Sequence, residues 1–133
     1  MEILIGALLA LGVGGLSTLV GFDRDRAFYP VVLVVIASYY GLFAVMAGGG
    51  ALWPEAIGLA AFTAVAVIGF RTSLWLVAAA LLAHGVFDLV HPHMIDNPGV
   101  PRWWPAFCLA FDAAAAGYLA VRLLQERQRA TPA

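Results

Sequence analysis

The sequence predicts an all-α, polytopic membrane helix bundle of about five transmembrane helices. Three observations point there. Of 133 residues, 63% are hydrophobic and only 11% are charged, whereas soluble domains carry roughly a quarter charged residues. The apolar residues fall in runs of about 20, the length that crosses the hydrocarbon core. The charges, glycines and prolines collect in the breaks between those runs. The length suits a single domain.

The first span is expected over residues 3–22, ending at Asp23-Arg24-Asp25-Arg26. Met1-Glu2-Ile3 lacks the basic start of a signal peptide, and no small-residue cleavage site follows. The first span is therefore read as a retained helix. The second is expected over 28–47, with Pro30 in its first turn, where a missing N–H costs little. Gly48-Gly49-Gly50 makes the next turn. The third covers 52–70, and the fourth 73–91, with Arg71-Thr72 between them. Fusing these two would bury Arg71 mid-membrane, so two spans are preferred to one. Pro92 removes a donor and disfavours helical geometry at His91, which predicts an end or kink there. Residues 92–104 hold three prolines and Gly99 and read as a loop. The fifth span covers 105–124, and Gln125 begins a polar tail.

All seven basic residues are arginines. Five spans put Arg24, Arg26, Arg71, Arg122, Arg127 and Arg129 on one side and Arg102 alone on the other. Basic residues stay cytoplasmic, which predicts an outer N-terminus and an inner C-terminus. Trp53, Trp103 and Trp104 then lie at outer span ends, as interfacial anchors; Trp75 and Tyr118 fit this less well. The quartet 23–26 reads as a self-paired loop. Gly12, Gly14 and Gly15, like Ala113 to Ala116, read as close-packing positions. A net charge of −1 gives no reason to expect nucleic acid. The partner is the lipid bilayer, and a bundle this small leaves room for a homodimer. The single cysteine, Cys108, forbids an internal disulfide.

Ionisable groups inside a span are costly and mark function by default. Here they cluster. His84, Asp88 and His91 are spaced i, i+4, i+7, within about 60° of one another around a helix. Asp112 lies about 10 Å into the fifth span from the same outer side, at overlapping depth. Imidazole and carboxylate together suit zinc, iron, copper or manganese. His84, Asp88 and His91 can supply three ligands to a divalent ion, zinc foremost, with Asp112 as fourth ligand or general base. Asp88 and Asp112 are the carboxylates expected to act in any catalysis. Without a metal, Asp88 can instead neutralise the histidines in a proton-handling or purely structural network. His93 reads as interfacial. Asp96-Asn97-Pro98-Gly99 reads as a turn, with a lid or an extra ligand as the alternative; Glu55 reads as interfacial or else as joining the site, Cys108 as a packing residue or a ligand, and Tyr39 and Tyr40 as buried aromatics, one of which can reach a polar pocket.

The set His84-x-x-x-Asp88-x-x-His91, Asn97-Pro98, Pro101, Cys108 and Asp112 resembles the C-terminal half of a family of small bacterial membrane proteins of unknown function. That family carries a His-x-x-Trp-Asp-x-x-His-His pattern followed by Asn-Pro, a Cys and an Asp. The likeness covers residues 84–112. Phe87 stands where the family has Trp, and Pro92 separates His91 from His93. The resemblance implies the inner membrane of a bacterium and groups His84, Asp88, His91 and Asp112, but it implies no activity. Three functions stay open: a metal-dependent hydrolase of a lipid or other apolar substrate, an ion or proton relay, and an accessory subunit held by polar pairs.

Overall fold

The computed structural model describes residues 1–130. The chain is all-helical there, with five helices each long and apolar enough to cross a membrane. They are α1 Glu2–Val20, α2 Phe28–Met46, α3 Leu52–Arg71, α4 Leu74–Met94 and α5 Trp104–Ala130. A 3-10 turn, Phe22–Arg24, joins α1 to α2. α4 is the centre of the bundle: it packs against α5, α3 and α2, while α1 packs against α5 and α2 against α3.

Each helix is apolar nearly all round, as expected where lipid covers one face and protein the other. Ile3, Leu4, Leu8 and Leu19 of α1 face outward, as do Val31 and Leu42 of α2. Leu33, Tyr40, Val77, Leu81, Cys108 and Leu119 fill the centre. Lipid tails are as apolar as leucine, so burial alone does not draw these helices together. Close backbone contact and polar ties must do so.

The close contacts are made by glycines other than those singled out above. A Cβ on Gly6 would strike the carbonyl of Phe107 on α5, so only glycine lets α1 and α5 meet there. Gly14 does face a neighbour, the Tyr118 ring, but Gly12 and Gly15 face open space.

The polar tie lies at the α1–α2 loop. Thr18 donates to Asp23 Oδ2 at 2.6 Å, and Tyr118 Oη lies 2.9 Å from Thr18 Oγ1. Thr18 spends its proton on Asp23, so Tyr118 donates to Thr18. Arg122 Nε reaches the same Asp23 oxygen at 3.1 Å. Asp23 is thus bound to α5, and Arg26 donates to the carbonyls of Phe70 and Thr72. The charged quartet is cross-linked to other helices rather than self-paired. Tyr118 and Trp75, awkward as lipid anchors, have protein partners: Tyr118 in this tie, and Trp75 under the Arg127 guanidinium at 5.7 Å. Trp53 and Trp103 are exposed, but Trp104 is buried against Tyr39 and Phe43. It is a packing residue, not an anchor.

Two helix ends differ from the sequence reading. α4 continues through Pro92 to Met94 instead of stopping at His91. Proline in a last turn removes one donor and leaves the rest: Ile95 N–H still reaches the His91 carbonyl at 2.9 Å. The residue deprived is Asp88, whose carbonyl is the one the Pro92 N–H would have served. α5 runs on through the charged residues after Gln125 to Ala130, where its side chains are exposed.

Candidate metal centre

The site sits where α4 and α5 approach most closely. Gly85 makes that approach feasible: a Cβ there would lie 3.2 Å from Asp112 Cβ and 3.2 Å from a Leu109 methyl. With only hydrogen at that point, Asp112 comes to rest beside His84. His84 Nδ1 lies 2.8 Å from Asp112 Oδ2 and 3.4 Å from Asp88 Oδ2. All three side chains are wholly buried. One ligand atom from each lies within 4.8 Å of the others.

Neighbouring groups fix these side chains. Tyr40 of α2 donates to Asp88 Oδ1 at 2.5 Å. The Phe62 ring meets the His84 ring edge to face at 4.7 Å, and Phe87 packs nearby at 6.1 Å. The wall is therefore aromatic and dry. Within it, His84 Nε2, Asp88 Oδ2 and Asp112 Oδ1 are buried without a hydrogen-bond partner. Buried polar groups are ordinarily satisfied; His84 turns Nδ1 toward both carboxylates and its orphaned Nε2 away from them, and the two orphaned carboxylate oxygens leave acceptor capacity that a cation can fill.

One turn further along α4, His91 lies in a different set of contacts. Its Nε2 is 2.7 Å from Glu55 Oε1 of α3, and its ring stacks on Tyr40 at 3.9 Å. Asn97, in the loop after α4, donates to the same Glu55 oxygen at 2.8 Å and to the Tyr40 carbonyl at 3.1 Å. Asn97 Oδ1 also accepts from Gly99 N–H, so it shapes the turn and joins the site at once. Gly99 itself rests against α2, where a Cβ would strike the Phe43 carbonyl. That contact presses the loop onto the bundle.

His84, Asp88 and Asp112 thus come together, and His91 stands beside them on Glu55. Cys108 is buried one turn from Asp112. His93 and Asp96 are exposed, and Tyr39 turns away toward Trp104. Glu55 takes the less favoured of its two sequence readings and joins the site. It is 2% exposed, not interfacial. An acid in a first helical turn is favoured by the helix dipole whatever its function, so its position there gave no signal. Asn97 was hidden in the same way by its turn chemistry.

The electrostatics favour a cation. Asp88, Asp112 and Glu55 put three carboxylates in one buried region, against the imidazoles of His84 and His91. Fully ionised, these groups leave a negative charge over even when both histidines are protonated. An uncompensated buried charge costs several kcal/mol. A divalent ion held by Asp88, Asp112 and neutral His84 balances that triad completely. Ligand atoms about 2.0–2.2 Å from a tetrahedral ion lie about 3.3–3.5 Å apart. The separations about His84 Nδ1 are 2.8 and 3.4 Å, and all three ligand atoms lie within 4.8 Å of one another, so closing on an ion would ask the side chains to shift.

Two cavities approach the centre. One, of about 390 Å³, is an apolar groove walled by α1, α2 and α5 and reaching Cys108. The other, of about 310 Å³, is more polar; it lies against the loop after α4 and reaches His91 and Asn97. Neither is lined by the triad itself. No family model, curated protein or solved structure matches the chain.

Proposed function

We propose that this membrane protein binds a divalent transition metal, zinc foremost, through His84, Asp88 and Asp112. The observation that carries this is a wholly buried imidazole and two carboxylates whose ligand atoms lie within 4.8 Å of one another, with one oxygen of each carboxylate lacking a hydrogen-bond partner. One nitrogen and two oxygens suit zinc, and also iron or manganese. Tyr40 holds Asp88 in its ligating orientation, as outer-shell partners do. We place the protein in a bacterial inner membrane with its N-terminus outside, on the arginine distribution and on the motif it shares with the small bacterial membrane family.

His84, Asp88 and Asp112 would hold the ion, which when bound would supply Lewis-acid activation of water or of a substrate carbonyl. The activity that suits such a site is hydrolysis of a membrane-borne, apolar substrate. The lipid-facing groove beside Cys108 is the place for its chain. Asp88 and Asp112 are engaged in holding the ion in this reading, so neither is free to act as a separate general base. A relay of protons or ions is the second reading, favoured by Tyr40, which joins the triad to the His91–Glu55 pair. Against it, the helix segments on the other side of the triad bury Val77, Leu81, Ala115, Ala116 and Leu119, with no polar path among them.

The test is elemental analysis of protein purified in detergent without a nickel column, beside His84→Ala and Asp112→Asn. Near-stoichiometric zinc, iron or manganese in the parent protein and its loss from both folded variants are expected. Folded parent protein that stays metal-free after incubation with each ion would overturn the reading.

A further inference from the structure

A metal site sealed inside aromatic rings needs a way in, and the two ends of the bundle are unlike in this respect. Toward the α1–α2 loop, the triad is closed off by the apolar layer of Leu81, Val77, Ala115 and Leu119. Toward the other end, the pocket of about 310 Å³ is bordered by Asp96, Asn97 and Arg102 and reaches His91 and Pro92.

His91 is 1% exposed, and its two nitrogens differ. Nε2 is engaged by Glu55, while Nδ1 has no partner. A buried imidazole nitrogen left open on a residue that lines a polar pocket is a ligand position in waiting. Behind His91, Tyr40 stacks on its ring and reaches Asp88 with its hydroxyl. Acceptor groups therefore lie between the pocket and the triad: Asp96 at its border, then His91 with Glu55, then the Asp88 carboxylate behind Tyr40. Each is an imidazole or a carboxylate, groups that replace water around a divalent cation.

We propose that this pocket is the port through which a hydrated divalent cation reaches the triad, with His91 and Glu55 as its transit ligands. The inference rests on the metal reading above. It adds a direction of loading, from the loop that follows α4, and gives the His91–Glu55–Asn97 cluster a role separate from holding the ion.

The experiment follows zinc uptake over time in full-length protein that has been stripped with a chelator and reconstituted in nanodiscs. Asp96→Cys places a thiol at the port, and Thr72→Cys places one at the opposite end. Both are alkylated with a bulky, membrane-impermeant maleimide. The parent protein, whose Cys108 is buried, is treated alike. Alkylated Asp96→Cys is expected to take up zinc about tenfold more slowly, a barrier about 1.4 kcal/mol higher, while reaching the parent's final stoichiometry. His91→Phe should slow uptake in the same way without lowering that stoichiometry. Alkylated Thr72→Cys and the treated parent should load at the parent rate. Stoichiometric zinc with unchanged uptake in alkylated Asp96→Cys and in His91→Phe would overturn the port and leave the metal site standing. Slowing in Thr72→Cys instead would place the route at the other end. A parent protein that takes up no zinc would remove the metal reading and the port with it.

Discussion

Replacing Tyr40 by phenylalanine removes one oxygen and leaves the ring, its stack on His91 and its contact with Phe87 in place. What goes is a 2.5 Å hydrogen bond to Asp88 Oδ1. A hydrogen bond to a charged group contributes about 1.5–3 kcal/mol, and the orphaned acceptor here is wholly buried. Stability without metal should therefore fall by about that much. The hydroxyl also holds Asp88 with its second oxygen turned toward His84. Loss of such an outer-shell partner weakens metal binding by about 10–100-fold, or about 1.4–2.7 kcal/mol. The assay is competition for zinc against a chromophoric chelator in detergent, run beside thermal unfolding of the metal-free protein. Tyr39→Phe is the control, because Tyr39 packs on Trp104 and not on the site. A Tyr40→Phe protein with lowered stability and unchanged zinc affinity would refute the reasoning: the hydroxyl would then serve the fold alone.

Other outcomes follow from the packing and the ties. Gly85→Ala should force α4 and α5 apart, lowering stability by about 1–3 kcal/mol and weakening zinc binding with it; unfolding in mixed micelles and chelator competition read the two effects. Arg122→Ala leaves Asp23, whose side chain is 3% exposed, without its cation. It should cost about 2 kcal/mol in thermal stability while zinc affinity holds, because the tie lies at the other end of the bundle. Brominated lipids should quench fluorescence from Trp53 and Trp103 but not from Trp104, measured in variants that keep one tryptophan each.

The fold was legible because lipid imposes a length rule on every span, and the runs of apolar residues obeyed it. The triad was half legible. Spacing put His84 and Asp88 on one helix face, and depth put Asp112 level with them. Spacing did not reveal that His91, three residues beyond Asp88, would answer to Glu55 instead. That outcome depends on α3 standing against α4, which no periodicity encodes. Gly85 was unreadable for a related reason: its meaning lies in the Asp112 and Leu109 side chains across the helix contact. Pro92 misled because the usual penalty for proline assumes a helix with more than one turn still to run. Asp23 misled because paired charges in a loop look self-sufficient until Arg122, far along the sequence, arrives beside them.

That distance has a consequence for how the protein is made. The Thr18–Tyr118 bond joins residues 100 apart, and α1 packs against α5, the last of the five helices. At about 5–20 residues per second of synthesis, α1 waits in the bilayer for roughly 5–20 s before its partner emerges. During that interval Gly6 has no backbone to meet and Asp23 has no arginine. The halves of the triad, on α4 and α5, likewise join only when the last helix enters. Assembly is therefore decided late: a chain interrupted before α5 would leave α1 without its main partner and Asp23 without Arg122.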